Sequence, residues 1–132
     1  MLNKLNSKRA GFTLVEIMIV VAIIALLAAI AVPGFLRARK RSQASKVLND
    51  LRLISGAVDQ YAIENSKTSG ATVAVEDWTN YLKKDTQLYA TGADLFGEEF
   101  GVQTVDSLPK VPTSTREALI DVTGTDFWSP YN

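Results

Sequence analysis

The sequence predicts an α+β protein. A long N-terminal α-helix, membrane-spanning in its first half and amphipathic in its second, with a kink near Pro33-Gly34, carries a small C-terminal head of a short helix and short antiparallel strands packed on it. Three observations predict this. Residues 12–35 (FTLVEIMIVVAIIALLAAIAVPGF) contain only Thr13 and Glu16 as polar side chains. Beyond them, Ala44, Val47, Leu48, Leu51, Ile54, Val58, Tyr61 and Ala62 recur at three- and four-residue steps, the period of a helix with one apolar face. After residue 66 the pattern breaks into short segments punctuated by glycine and proline, and eight of the eleven aromatics fall between Trp78 and Tyr131. That placement puts an aromatic core in a turn-rich head.

Each element follows from its residues. Residues 1–11 (MLNKLNSKRAG) are short and polar, with Lys4, Lys8 and Arg9 and no acid, as in the charged start of an export signal. Ile17–Val32 is unbroken apolar sequence. At about 1.5 Å per residue, residues 12–35 reach roughly 36 Å as a helix, enough for a hydrocarbon core of about 30 Å. Pro33 removes a backbone donor and Gly34 has low helix propensity, so a kink or local melting is expected there. Residues 36–66 form the amphipathic half, ending at the polar stretch Glu64–Gly70. In 67–132, Trp78, Tyr81 and Leu82 predict a short helix over Glu76–Lys84. Phe100–Val105 and Ala118–Val122 are candidate strands. A head this small is marginal alone and is expected to use the apolar stripe of 36–66 as one wall.

Composition narrows the chemistry. With no His and no Cys, there is no imidazole base, no Ser–His pair, no thiolate nucleophile and no disulfide. No enzyme activity and no cofactor is expected. Net charge is zero, with 14 basic and 14 acidic residues, but the halves differ. Residues 1–46 carry eight basic groups against Glu16 alone, and residues 47–132 carry six against thirteen acids. The cancellation indicates that the two parts occupy different environments.

Glu16 is the sharpest oddity, because a carboxylate at the head of a membrane-length apolar run is costly and is a functional candidate by default. Its neighbours sharpen the reading. Gly11-Phe12-Thr13-Leu14-Val15-Glu16 follows a basic leader and opens the apolar run. This closely resembles the class III signal of type IV pilins and of the type II secretion pseudopilins, tightly over about residues 7–36 and loosely over the amphipathic half. Pro33 matches the same pattern. The resemblance implies a leader peptide 1–11, a prepilin peptidase that cuts between Gly11 and Phe12, and N-methylation of the new Phe12 amine. It implies a transmembrane and filament-core helix over 12–35, an amphipathic continuation over 36–66 and a globular head over 67–132. It also implies a helical homo-oligomer built by an inner-membrane assembly platform with a cytoplasmic ATPase. The precursor would sit in the inner membrane with one span and its head outside the cytoplasm, before joining a periplasmic or cell-surface filament. In that filament the carboxylate of Glu16 would pair with the Phe12 amine of a neighbour and so select the stagger. Ala22, Ala25, Ala28, Ala29 and Ala31 would allow close helix approach. Pro33 and Gly34 would act either as a static kink or as a segment that melts during assembly.

Other readings compete. Cleavage after Ala29-Ile30-Ala31 would release a soluble domain, and a plain single-span anchor would carry a non-assembling binding domain. The basic collar of Arg37, Arg39, Lys40, Arg41 and Lys46 outweighs the basic leader, against the positive-inside rule for the orientation above. With no interleaved aromatics, the collar argues against a nucleic-acid partner. Lipid phosphates, or the acidic head of a neighbouring subunit, suit it better. Asp94, Glu98, Glu99 and Asp106 fall in a Gly-rich stretch, where the resemblance to major pseudopilins raises calcium. No regular D-x-D-x-D-G loop is present, and solvated acids on a turn are the simpler reading. The sequence leaves open a surface pilus or a secretion pseudopilus. The absence of Cys argues against the disulfide-closed head common among major pilins.

Overall fold

The structure, a computed structural model, describes residues 11–132. The basic leader with Lys4, Lys8 and Arg9 lies outside the described residues. The chain divides into two compact units, Met1–Leu36 and Arg37–Asn132. Helix α1 (Leu14–Glu64) contributes to both. It is followed by β1 (Thr72–Val73), α2 (Val75–Thr79), α3 (Gln87–Thr91), β2 (Gln103–Thr104), α4 (Thr113–Ala118), α5 (Ile120–Thr123) and a 3-10 turn at Asp126–Trp128. The fold class is the expected one, α+β with a long N-terminal apolar helix.

In the first unit, α1 is helical without interruption through Pro33 and Gly34. No melted segment occurs there. Every residue from Gly11 to Arg39 is exposed. The helix is apolar all round over a membrane-length stretch, with a mean hydropathy of 3.0 across its most apolar window.

In the second unit, α1 buries one face. Ala44, Val47, Leu51, Ile54, Val58 and Ala62 are buried as the periodicity requires, Leu48 and Tyr61 are half-buried, and Ala57 joins them. Against this stripe pack Val73, Trp78, Leu88, Phe100, Val105, Val111, Leu119 and Trp128. Both tryptophans are fully buried. The Trp78 indole N–H donates to the Gly101 carbonyl at 3.2 Å, which satisfies a polar atom that burial would otherwise penalise.

The sheet is one short antiparallel pair, with Thr72 opposite Thr104 and Val73 opposite Gln103. It is extended by Val105 N–H to Ala71 O at 2.9 Å and Gly70 N–H to Val105 O at 3.1 Å. So the strand expected over Phe100–Val105 is present but two residues long. Gln103 turns inward and donates to the Phe100 carbonyl at 2.8 Å, tying the segment before the strand into a turn.

Two expectations need correction. The helix at Glu76–Lys84 is shorter, Val75–Thr79. The Asn80 side chain donates to Glu76 O at 2.7 Å. Beyond it the chain curls on i to i+3 bonds, Tyr81 N–H to Trp78 O and Leu82 N–H to Thr79 O. Ala118–Val122 is not a strand but the junction of α4 and α5. Pro112 starts this segment and Gly124 (φ 65°) stops it, and Leu119 and Val122 share one inward face at helical spacing. Gly92 closes α3 in the left-handed region (φ 63°), where a Cβ would meet Val75 Cγ1 at 2.6 Å. Only glycine serves this C-cap, because both the dihedral and the space demand it.

Candidate functional site: the N-terminal end of α1

The first unit presents a short sequence of roles. Gly11, Phe12 and Thr13 precede the helix and are exposed, and nothing lies within 4 Å of where a Gly11 Cβ would stand. Thr13 is the N-cap. Its hydroxyl accepts from Glu16 N–H at 3.2 Å, and the Glu16 carboxylate (Oε2) accepts from Thr13 N–H at 3.0 Å. This reciprocal pair is a capping box, satisfying two of the donors that every helix start leaves open. The Glu16 charge also faces the positive end of the helix.

Glu16, expected from the sequence to face a neighbour, also has a role within its own chain. The signal was present, since Thr13-x-x-Glu16 ahead of an apolar run is the capping-box pattern. Glu16 Oε1 has no hydrogen bond among the described residues and stays available to an outside donor. The peptide bond between Gly11 and Phe12 is intact in this chain, so an amine on Phe12 would exist only after cleavage.

The basic collar is partly engaged within its own unit. Lys40 Nζ bonds Asp121 Oδ2 at 2.8 Å, and this bond holds the Asp121 carboxyl below its ordinary range. Lys46 Nζ lies 3.5 Å from Asp50 Oδ1, one helical turn away. Asp50 is only 3% exposed, on the core side of α1. Burial pushes its carboxyl up, Lys46 pulls against this, and the nearby charge of Asp94 adds to the rise. Arg37, Arg39 and Arg41 are exposed and form no salt bridge among the described residues.

The four acids considered for calcium do not converge. Asp94 is fully buried and spends its oxygens on this chain's own donors. Oδ1 accepts from Phe96 N–H at 2.8 Å and Glu98 N–H at 3.0 Å, and Oδ2 accepts from the Thr115 hydroxyl. It ties the Gly-rich turn to α4. Asp106 instead sits in the turn after β2 with φ 62°, beside Asp59 of α1. Among the described residues, no group of three or more acids, His or Cys is placed to hold a metal ion.

The first turn of α1 thus combines a capping box, one carboxylate and an exposed apolar helix, with a Gly-Phe junction just ahead. Residues 6–32 match the family model described as the prokaryotic N-terminal methylation motif. The relatives are of two kinds. The chain is 38% identical over 60 residues to the type II secretion system core protein G of Klebsiella pneumoniae, covering 46% of this chain and 43% of that one. It is 40% identical over 67 residues to the type IV major pilin protein PilA of Myxococcus xanthus (51% of this chain, 30% of that one). It is 36% identical over 89 residues to the type IV major fimbrial protein FimA of Dichelobacter nodosus, covering 67% of this chain and 51% of that protein. The chain thus matches about half or less of the length of these relatives. No solved structure matches it.

Proposed function

We propose that this chain is a structural, non-enzymatic subunit of a type IV-type filament. In this reading a prepilin peptidase cleaves after Gly11 and methylates the Phe12 amine. The subunit waits in the inner membrane as a single span with its head outside the cytoplasm. An assembly platform with a cytoplasmic ATPase then moves it into a helical homo-oligomer. The observation that carries this reading is the exposed apolar first half of α1, headed by the Thr13–Glu16 cap. Left as it stands, that surface is far larger than a soluble chain exposes, and lipid or a bundle of identical helices is the cover that fits it.

Glu16 then has two partners in one lifetime. Its own Thr13 N–H lowers the cost of carrying a carboxylate through the bilayer, and the free Oε1 meets the neighbour's Phe12 amine in the filament. Arg37, Arg39 and Arg41 keep their charge for lipid phosphates and then for the acidic heads of other subunits. Lys40 and Lys46 are already engaged within the unit. The absence of Cys favours the pseudopilus of a secretion system over a surface pilus. The test is electron cryo-microscopy of cells that co-express the chain with an assembly system. Filaments whose core is α1 support the reading. A chain that stays monomeric in detergent and never polymerises, however strongly expressed, refutes it in favour of an anchored domain.

A further inference from the structure

The Arg37–Asn132 unit holds a groove of about 330 Å³ between α1 and the segment that runs from Tyr81 to Leu88. Arg52, Leu53, Gly56 and Gln60 follow one another at steps that keep them on one face of α1, and they form one wall. Much of the lining is aliphatic: Ala57 and Leu88 are buried, Leu82 is half-buried, and Leu53 is 48% exposed. Gly56 leaves a gap in that wall. A Cβ there would meet nothing within 4 Å, so the chain's own packing does not require glycine at a position where it weakens the helix. The charge of the groove is also unusual. Residues 47–132 carry six basic groups against thirteen acids, yet two of the six, Arg52 and Lys83, line the groove and no acidic side chain does. Both cations are exposed, and neither has a salt-bridge partner among the described residues. The hydroxyls nearby are committed within the chain. Tyr81 donates to Glu64 Oε2 at 2.6 Å, and Thr86 donates to the Lys83 carbonyl at 2.8 Å.

We propose that this groove is a binding site for a small aliphatic carboxylate, with its chain laid along Leu53, Gly56 and Leu88 and its carboxylate held by Arg52 and Lys83. Each half of that ligand answers one half of the lining. The aliphatic chain removes apolar surface of Leu53 and Leu82 from water, and the missing side chain at Gly56 lets it lie close against the helix. The carboxylate accepts charge-assisted hydrogen bonds from two cations that the chain itself leaves free. An inorganic anion gains nothing from the aliphatic lining, and a cationic amphiphile is repelled by Arg52 and Lys83. The volume lies at the small end of the range for ligand pockets, which suits a chain of about six carbons. The site lies wholly within the Arg37–Asn132 unit, so it stands apart from the filament reading.

The test is a methyl NMR titration of the detergent-solubilised full chain with hexanoate, with hexylammonium in parallel to report partition into the detergent. Hexanoate is expected to shift the methyls of Leu53, Ala57 and Leu88 in a saturable way, and hexylammonium to give no saturable shift. Gly56→Leu fills the groove without touching the rest of the chain and adds a better helix former, so it is expected to unfold at or above the wild-type temperature. Its affinity for hexanoate is expected to fall at least about tenfold, because the side chain occupies the space of the ligand. Arg52→Gln with Lys83→Gln is expected to weaken hexanoate at least about tenfold through loss of both charged donors. Equal responses to hexanoate and hexylammonium overturn the proposal, as does wild-type affinity in either variant. A wild-type chain that never saturates with hexanoate overturns it as well. If Gly56→Leu then also loses filaments in an assembling host, the groove belongs to a neighbouring copy instead.

Discussion

Asp94 ties the Gly-rich turn to α4, and its replacement should destabilise the head. Asp94→Ala removes three charge-assisted hydrogen bonds, from Phe96 N–H, Glu98 N–H and the Thr115 hydroxyl. Bonds to a charged acceptor are worth about 1.5–3 kcal/mol each, and a buried donor left without a partner costs about 1–3 kcal/mol. Phe96 is exposed and Glu98 half-exposed, so water can replace the lost acceptor for those two amides. Thr115 is only 1% exposed, so its hydroxyl stays stranded. Relief of the buried charge offsets part of the loss, leaving a net cost of about 3–5 kcal/mol. For a domain of this size that is a fall in Tm of roughly 15–30 °C. Asp94→Asn keeps an acceptor for both amides and turns its NH2 toward the Thr115 oxygen, so about 1–2 kcal/mol is expected. The assay is thermal unfolding of the detergent-solubilised chain followed by tryptophan fluorescence, since Trp78 and Trp128 are both fully buried in the unit that Asp94 holds. An Asp94→Ala variant within about 0.5 kcal/mol of wild type would refute the tie described above. So would a wild-type Tm that rises on adding calcium and no longer does so in the variant, because Asp94 would then be a ligand.

Three further outcomes are expected. Glu16→Ala should leave membrane insertion and cleavage intact but strongly reduce filament number; normal filaments from that variant would remove Glu16 from assembly. Leu51→Ala, at a fully buried position facing the head, should cost about 2–5 kcal/mol by the same fluorescence measurement, and a cost under 1 kcal/mol would mean the stripe is not the wall of the core. For Asp50, burial raises the folded-state pKa above its ordinary 3.8, so the folded chain holds this proton more tightly than the unfolded chain. Stability contributed by the protonated form is therefore present below that ordinary value and lost as pH rises through the raised one. Asp50→Asn should then unfold at a higher temperature than wild type at pH 7, and the gap should close on acidification; a gap that widens in acid would reverse the sign argued here.

The legible parts of the sequence were those whose physics is local. The apolar run and the stripe from Ala44 to Ala62 each depend on residues within a few positions of one another, and each stands in helix α1 as the spacing requires. Lys46 and Asp50 sit one turn apart and could have been paired on paper. Asp94 could not, because its partner Thr115 lies 21 residues away and Asp94 reads from sequence as a solvated acid in a glycine-rich turn. An even longer separation, 81 residues, hid Lys40–Asp121, which engages one collar charge within its own unit. Ala118–Val122 misled because five mostly apolar residues fit a strand or a helix equally well, and only the flanking Pro112 and Gly124 decide between them. Thr13-x-x-Glu16 shows another way to fall short. The pattern is local and readable, but a carboxylate heading an apolar run fits a partner in a neighbouring chain as well as the cap it makes in its own.

Processing at the Gly11–Phe12 junction underlies the whole account, and mass spectrometry of the N-terminal peptide from chains purified out of native membranes tests it most directly. The account predicts a chain that begins at Phe12 and carries one methyl group on the Phe12 nitrogen. A chain that still begins at Met1 would mean an ordinary anchor, and one that begins at Val32 would mean a conventional secreted domain. Either would contradict it.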